Sequence, residues 1–296
     1  MARIRIYQDD AIPSPSKRTW IAFSSNPFAL VGLWLLFILF LVMLFGEYLA
    51  PFPPGLQDPN ALLLPPSWDQ AGSVTHFLGT DELGRDILSR VLHGTHLTFG
   101  ISIAVVAVAL IVGFFLGSVS GMMSGIKSSI LGHLLDALLS IPSLILAMLV
   151  VAVMGAGLEN VFWAVGLALV PQFVRAIHQA IHEELQKEYV TAARLDGANS
   201  LQIYWYVIMP NVWDIVIIQV TLAMSVAVLD IAALGFLNLG AQAPSPEWGA
   251  MVMQGTEHFL IAPWTVTIPG VAILITVLAI NLVGDGLRSA LSPQRS

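Results

Sequence analysis

The sequence predicts an all-α polytopic membrane protein with six transmembrane helices, and three observations carry that expectation. Hydrophobic residues form 56% of the 296-residue chain and charged ones 10%, against roughly 25% charged in an average soluble domain. Too little polar surface remains to cover a soluble core of this length. The apolar residues gather into runs near 28–48, 99–122, 131–154, 160–178, 212–235 and 265–287, each close to the roughly 20 residues that a helix needs to cross hydrocarbon. The basic residues fall unequally between the segments joining these runs. With the N-terminus inside, Arg3, Arg5, Lys17, Arg18, Lys127, Arg175, Lys187, Arg194, Arg288 and Arg295 lie on inner segments, and only Arg85 and Arg90 on outer ones. That inward bias sets topology, and it places both termini inside.

The composition also excludes chemistries. The chain has no cysteine, so disulfides and thiol catalysis are ruled out. A net charge of -7, with no basic stripe to hold phosphates, argues against nucleic acid as a partner.

The elements follow in order. The run 28–48 is too long for the core of a signal peptide, and Tyr48-Leu49-Ala50-Pro51 matches a cleavage site weakly, so it is read as a retained anchor. The outer loop from about 49 to 97 is proline-rich and acidic, with Asp58, Asp69, Asp81, Glu82 and Asp86. In the second run, Gly113 and Gly117 form a G-x-x-x-G that favours close helix approach. The short inner turn GMMSGIKS, Gly121 to Ser128, comes nearest to a phosphate-binding loop. That loop requires glycine where Ile126 stands, so the stretch is read as a turn and the chain carries no phosphate-binding loop of its own. In the third run Pro142 is expected to kink the helix and free a carbonyl.

Between the fourth and fifth runs lies a hydrophilic insert, EYVTAARLDGANSLQIYWYVIMPN, from Glu188 to Asn211. Its approach is amphipathic, with Ile177, Ile181, Leu185 and Tyr189 spaced by four on one helical face. Gly197 is the expected helix end; a second short helix, Ser200 to Met209, is expected to stop at Pro210. Helix, glycine turn, helix and proline form a protruding knob on the inner side. On pattern alone it is equally a set of interfacial helices.

Two carboxylates fall inside predicted spans, Asp136 in the inner part of the third and Asp230 in the outer part of the fifth. Such groups are costly in hydrocarbon and face a cavity or a partner. Each has two readings: a pathway lining that favours cationic cargo, or a structural hydrogen-bond anchor. His133 is the candidate partner for Asp136. An intramembrane aspartyl protease would need two carboxylates close enough to share a proton, whereas these lie roughly 15 Å or more apart in depth. The pairs His178/His182 and His93/His96 lack a third ligand and are read as wet, interfacial positions. Ser124-Gly125-Ile126-Lys127 fits Ser-x-x-Lys by chance.

Several of these stretches resemble one known family. Thr191-Ala192-Ala193, Gly197, Val207, Met209 and Pro210 keep every spacing of the coupling loop of ABC-importer permeases, while Thr191, Val207 and Met209 depart from its usual Glu, Ile and Leu. Glu188 to Ala198 is similar to the wording of the peptide-transport branch. So are Gly79-Thr80-Asp81, Gly84-Arg85-Asp86 and Ser89-Arg90; LGFLNLG (Leu234–Gly240) with Pro246-Glu247-Trp248-Gly249; Pro263-Trp264, Pro269-Gly270 and Asn281-Leu282; and Gly284-Asp285-Gly286-Leu287-Arg288. Together they cover most of the chain from Gly79 to Arg288 and resemble the C-type permeases of dipeptide and oligopeptide importers, with Asp230 to Met251 most similar to the Sap branch. That branch is associated with antimicrobial-peptide handling and, in some bacteria, polyamine export.

The resemblance implies a type I ABC-importer permease fold in a bacterial inner membrane. The implied division is 1–98 (cytoplasmic N-terminus, first span and periplasmic loop), 99–288 (core permease with the coupling loop near 183–211) and 289–296 (cytoplasmic tail). It implies a homologous second permease and cytoplasmic ATPase subunits that bind the ATP, so the chain itself needs no cofactor; a periplasmic solute-binding protein stays open. Glu188, Arg194 and Asp196 would reach into the ATPase, Ala192 and Ala193 keep the helix thin, Gly197 gives the tight turn and Pro210 ends the knob. The expected cargo is peptide. Polyamine export, which an acidic outer loop would suit, and a non-transport docking or regulatory subunit are the alternatives.

Overall fold

A computed structural model describes residues 14–123 and 125–291; Arg3, Arg5, Ser124 and Arg295, used above, lie outside them. A short helix α1 (Pro15–Ser24) leads into the first span, α2 (Pro27–Leu49). Asn26 sets the junction, its side chain accepting from the N–H groups of Phe28 and Ala29 at 3.0 and 3.3 Å, while Pro27 opens the helix where no N–H is needed. α2 buries only a thin face of Ala29, Gly32 and Gly46. A Cβ at Gly32 would stand 2.7 Å from Leu282 Cβ, which is how closely α2 lies on the last helix.

The outer loop folds into a cap rather than an open acidic surface. Arg85 and Arg90 are 3% and 1% exposed. Arg85 Nε donates to Asp81 Oδ2 at 2.6 Å, and both guanidinium groups donate to Gln254 Oε1, at 3.2 and 3.1 Å. Asp86 caps the next helix, α3 (Ile87–Thr95), accepting from the Ser89 N–H and hydroxyl at 2.8 and 2.7 Å, and its other oxygen meets His76 Nδ1 at 3.1 Å. Of the five acidic residues of this loop, Asp81 and Asp86 are internal, each with a partner that offsets its loss of water. The same pairing shelters Arg85 and Arg90 from solvent.

α3 continues through a π-helical turn (His96–Gly100) into α4 (Ile101–Gly121). The second span is thus a 35-residue helix, Ile87–Gly121, and the 98/99 boundary falls inside it. Its first turns read as loop in the sequence because their polar residues, Ser89 and Arg90, are turned into the cap. Gly113, Gly117 and Gly121 make one stripe of α4 against α7 (Leu158–Leu185); a Cβ at each would stand 2.3, 2.9 and 2.8 Å from the Cβ atoms of Phe173, Ile177 and Ile181. The predicted close approach is present and extends one turn further inward.

The third run bends at Pro142 as expected, but far more sharply than a kink. It forms α5 (Ile126–Leu139) and α6 (Ser143–Met154), with Ile130–Leu139 bent by 83° from α6. Pro142 excludes helical backbone from the residue before it, and the break takes in Ser140 and Ile141 as well. α6 rises roughly 18 Å, less than a full crossing.

α7 carries Pro171 inside it without ending. A short polar stretch then leads to α10 (Met209–Phe236), α11 (Trp248–Gly255) and α12 (Trp264–Leu291). The main core lies between α4, α6, α7 and α10, where Val105, Val151, Leu169, Phe173, Ile177 and Ile231 meet.

α11 is clamped on the outer side by Glu247, which is fully buried. Its carboxylate accepts from the N–H groups of Gly249 and Ala250 at 2.9 and 2.8 Å and from the Thr98 hydroxyl at 3.0 Å. Burial nevertheless pushes its pKa up from 4.5 to about 7. The folded state therefore holds a proton on Glu247 between pH 4.5 and 7 that the unfolded state has lost. Stability is full below the lower value and falls as pH rises through the upper one, by about 3 kcal/mol. Melting of the purified chain should shift downward over that window, and Glu247→Gln should flatten this part of the pH dependence; an unchanged slope in the variant would refute the assignment.

Candidate functional site

The insert begins where α7 stops. Gln186 and Lys187 turn with i→i+3 bonds to the carbonyls of Glu183 and Glu184 at 3.3 and 3.2 Å, and α8 (Glu188–Leu195) starts after them. Tyr189 therefore lies on α8 and not on the Ile177–Ile181–Leu185 face expected to include it. α8 ends in a Schellman turn: Gly197 N–H bonds the Arg194 carbonyl and Ala198 N–H the Ala193 carbonyl, both at 3.1 Å. Gly197 sits at φ +88°, in the left-handed region that glycine adopts freely. The next helix, α9 (Ser200–Gln202), opens with a capping box in which the Asn199 and Gln202 side chains bond each other's backbone N–H.

Here one expectation is corrected. Pro210 does not stop a helix. α9 runs through a π-helical turn (Ile203–Ile208) into α10, and Ser200–Phe236 forms one 37-residue span. Pro210 stands in the first turn of α10, where the widened turn before it absorbs the missing N–H. The knob has one free end, at α8 and Gly197, and its other side is the base of the fifth span.

Glu188, Ala192, Arg194, Asp196, Gly197 and Pro210 are exposed, and Ala193 is half-buried. Val190 is buried in the main core and fixes α8 to the bundle. At the tip, Leu195 and Leu201 are 84% and 71% exposed, apolar residues that pattern reading did not single out. Also missed was the clamp at the base. Glu184 is 4% exposed; it accepts from the Tyr189 hydroxyl and pairs with Lys187 Nζ at 2.5 Å, and Asn211 Nδ2 reaches the Tyr189 oxygen at 3.3 Å. The clamp thus ties the ends of α7, α8 and α10 together. Only the chain reversal brings Glu184, Tyr189 and Asn211 into reach, so no linear signal marks them.

The two intramembrane carboxylates have different fates. Asp136, on α5, pairs with Arg175 Nη1 of α7 at 2.7 Å; the partner is this arginine and not the expected His133. Asp230 is 7% exposed and faces the Ser143 hydroxyl at the start of α6, while its Oδ2 has no hydrogen-bond partner. They lie apart, Asp136 on the inner half of the broken span and Asp230 against its outer half. His178 is buried rather than wet. Its Nδ1 lies 3.1 Å from Ser120 Oγ and its Nε2 3.4 Å from Ser128 Oγ, because the glycine stripe lets α4 close over it. Among the described residues, no group of three His, Asp or Glu side chains is placed to hold a metal ion.

Comparison with known proteins follows the same lines as the geometry. Residues 113–296 match the family model described as the inner membrane component of binding-protein-dependent transport systems, and residues 14–66 match the N-terminal transmembrane domain of oligopeptide transport permease C. The chain is 49% identical over 286 residues to the peptide transport system permease protein SapC of Escherichia coli O6:H1, covering 97% of each chain. It is 43% identical to the dipeptide transport system permease protein DppC of Escherichia coli K12, covering 95% of this chain and 94% of that one. Among solved structures, an inward-facing MetNI methionine ABC transporter chain superposes with a TM-score of 0.56 at 18% identity, over 69% of this chain and 96% of the other. That likeness gives the type I permease fold. The chain belongs to the family of binding-protein-dependent transport system inner membrane components.

Proposed function

We propose that this chain is one of two permease subunits of a peptide-transporting ABC system, with its knob docked in a separate cytoplasmic ATPase that binds the ATP. The observation that carries this reading is the knob itself: an α8 tip with exposed Leu195, rimmed by Glu188, Arg194 and Asp196, anchored at its base by the Glu184 clamp. With Leu201 also exposed nearby in the insert, the tip combines apolar residues with a polar rim, the make-up of a partner-binding surface. The relatives named above are peptide permeases, and none is named as a polyamine exporter or a docking subunit.

In this reading the first 98 residues form the cytoplasmic start, anchor span and outer cap, residues 99–288 the core permease and 289–296 a cytoplasmic tail, with both termini on the cytoplasmic side of the bacterial inner membrane. A homologous permease completes the pathway, and a periplasmic solute-binding protein delivers the cargo to the outer cap. Asp136 lines the inner part of the pathway; Asp230 holds the start of α6 to the fifth span.

The test is uptake of a labelled tripeptide into vesicles carrying the whole transporter. Uptake should require ATP, the ATPase and this chain, and Gly197→Trp should abolish it. A side chain at Gly197 is strained at its positive φ by roughly 1–2 kcal/mol, yet its Cβ meets nothing within 4 Å inside the chain, so the indole would protrude into the partner. Uptake unchanged by Gly197→Trp would sink the docking role.

A further inference from the structure

We infer that the Asp136–Arg175 pair is a contact for the charged ends of a peptide at the inner mouth of the pathway: Arg175 for the terminal carboxylate and Asp136 for the terminal ammonium. The inference rests on the peptide reading above and adds the residues and polarity of the contact. The pair bridges α5 and α7, with Asp136 Oδ1 2.7 Å from Arg175 Nη1, and it is half-open, with side-chain exposures of 53% and 38%. Charges on a spanning segment do not face lipid at such exposure; they turn to water or protein.

The surroundings show an open approach. Gly132 lies on α5 beside the pair, and a Cβ there would meet only Arg175 Nη1, 3.9 Å away. On α7, Gln179 and Glu183, one and two turns to the inner side of Arg175, are exposed, polar and bonded to each other at 2.8 Å, whereas Pro171, one turn to its outer side, is buried. Arg175 thus opens a polar track that runs toward the knob. α5 reaches this position because span three breaks at Ser140–Pro142 and turns it by 83° from α6, laying Asp136 across the track.

The chemistry suits a zwitterion. At neutral pH a peptide carries a carboxylate and an ammonium. Arg175 offers a planar fork that a carboxylate fills bidentately, and Asp136 accepts from an ammonium. Each protein charge then exchanges its protein partner for a cargo partner of the same sign, so neither is left unpaired. A purely structural ion pair has no need of the open side at Gly132.

Because the chain has no cysteine, Gly132→Cys gives a single probe in a transporter whose other subunits are cysteine-free. In inside-out vesicles, a charged, membrane-impermeant thiol reagent should label it. Labelling should slow in the presence of a tripeptide with free ends and stay unchanged with the same tripeptide acetylated and amidated. A cysteine that does not react, or equal protection by both peptides, would overturn the inference. In a second arm, Arg175→Met should raise the half-saturating concentration for the free-carboxylate peptide about tenfold more than for its amide. Dividing by the unmutated transporter removes any preference of the binding protein. An equal loss for both peptides marks a structural pair and refutes the contact. If the unmutated transporter takes up no peptide at all, it is the function proposed above that fails.

Discussion

Gly117→Leu is expected to stop the second and fourth spans from packing, the largest effect on stability of any single change considered. A Cβ at Gly117 would already stand 2.9 Å from Ile177 Cβ and 3.0 Å from the Val174 carbonyl. Both are fixed parts of α7, so neither can move aside as the end of a flexible side chain would. The three further carbons of leucine have no space between helices in such contact. Overpacking a filled interior costs roughly 1–3 kcal/mol and sometimes more; here the whole α4–α7 seam must open, and His178 with its two serine contacts would open with it. Purified Gly117→Leu protein should melt several degrees lower or fail to elute as a single species. Gly113→Ala should show the milder form of the same defect, since its Cβ would stand 2.3 Å from Phe173 Cβ. Gly166→Ala is the control. It lies within α7, its Cβ would meet nothing within 4 Å, and relief of glycine's backbone entropy should leave it neutral or more stable by up to about 1 kcal/mol. Equal melting of all three variants would remove the glycine stripe from the account of this fold.

Glu184→Ala is expected to have the largest effect on coupling. Glu184 is a buried carboxylate that joins the end of α7 to α8, through Lys187 and the Tyr189 hydroxyl, with Asn211 continuing the link to α10. Charge-assisted bonds of this kind contribute about 1.5–3 kcal/mol. Lys187 is half-exposed and returns to water when its partner is lost, so the spans should stay folded. The knob, however, would lose its polar tie and keep only apolar contacts such as Val190, so a push on its tip would swing α8 more than it moves α7 and α10. The ATPase should keep hydrolysing ATP while peptide taken up per ATP falls several-fold. Glu184→Gln, which keeps an acceptor for Tyr189 but loses the charge, should fall between the two. An unchanged ratio of uptake to hydrolysis in Glu184→Ala would show that the clamp transmits nothing.

Much of this architecture was legible in the residues. Five runs of apolar sequence correspond to the long helices of the first, second, fourth, fifth and sixth spans, because hydrocarbon imposes a length and a polarity that composition records directly. The glycine turn at Gly197 was legible as well, since few residues other than glycine adopt its backbone conformation. Helix ends were not. Ile87 and Leu185 mark boundaries that polar residues disguised, although the helix start at Ser200 was read correctly; whether such residues face water or a buried partner is settled only by neighbours distant in the sequence. Pro210 and Pro142 make the point together. The same ring ends one helix and lies within the first turn of another, and the difference is a π-helical turn ahead of Pro210 that no local signal announces.

The sequence alone determined the membrane class, the uneven distribution of the basic residues, the place of the knob between the fourth and fifth runs and the spacing by which the family is recognised. Each of these depends on solvent or on local backbone preference, quantities that individual residues carry. Only the tertiary structure decided what the charges do. It closed Asp81 and Asp86 into the outer cap with Arg85 and His76, gave Asp136 to Arg175, enclosed Asp230 against Ser143 and brought Glu184 to Tyr189. Electrostatic partnership is fixed by distance and burial in three dimensions, and helices that meet across a bundle bring together residues far apart in the chain.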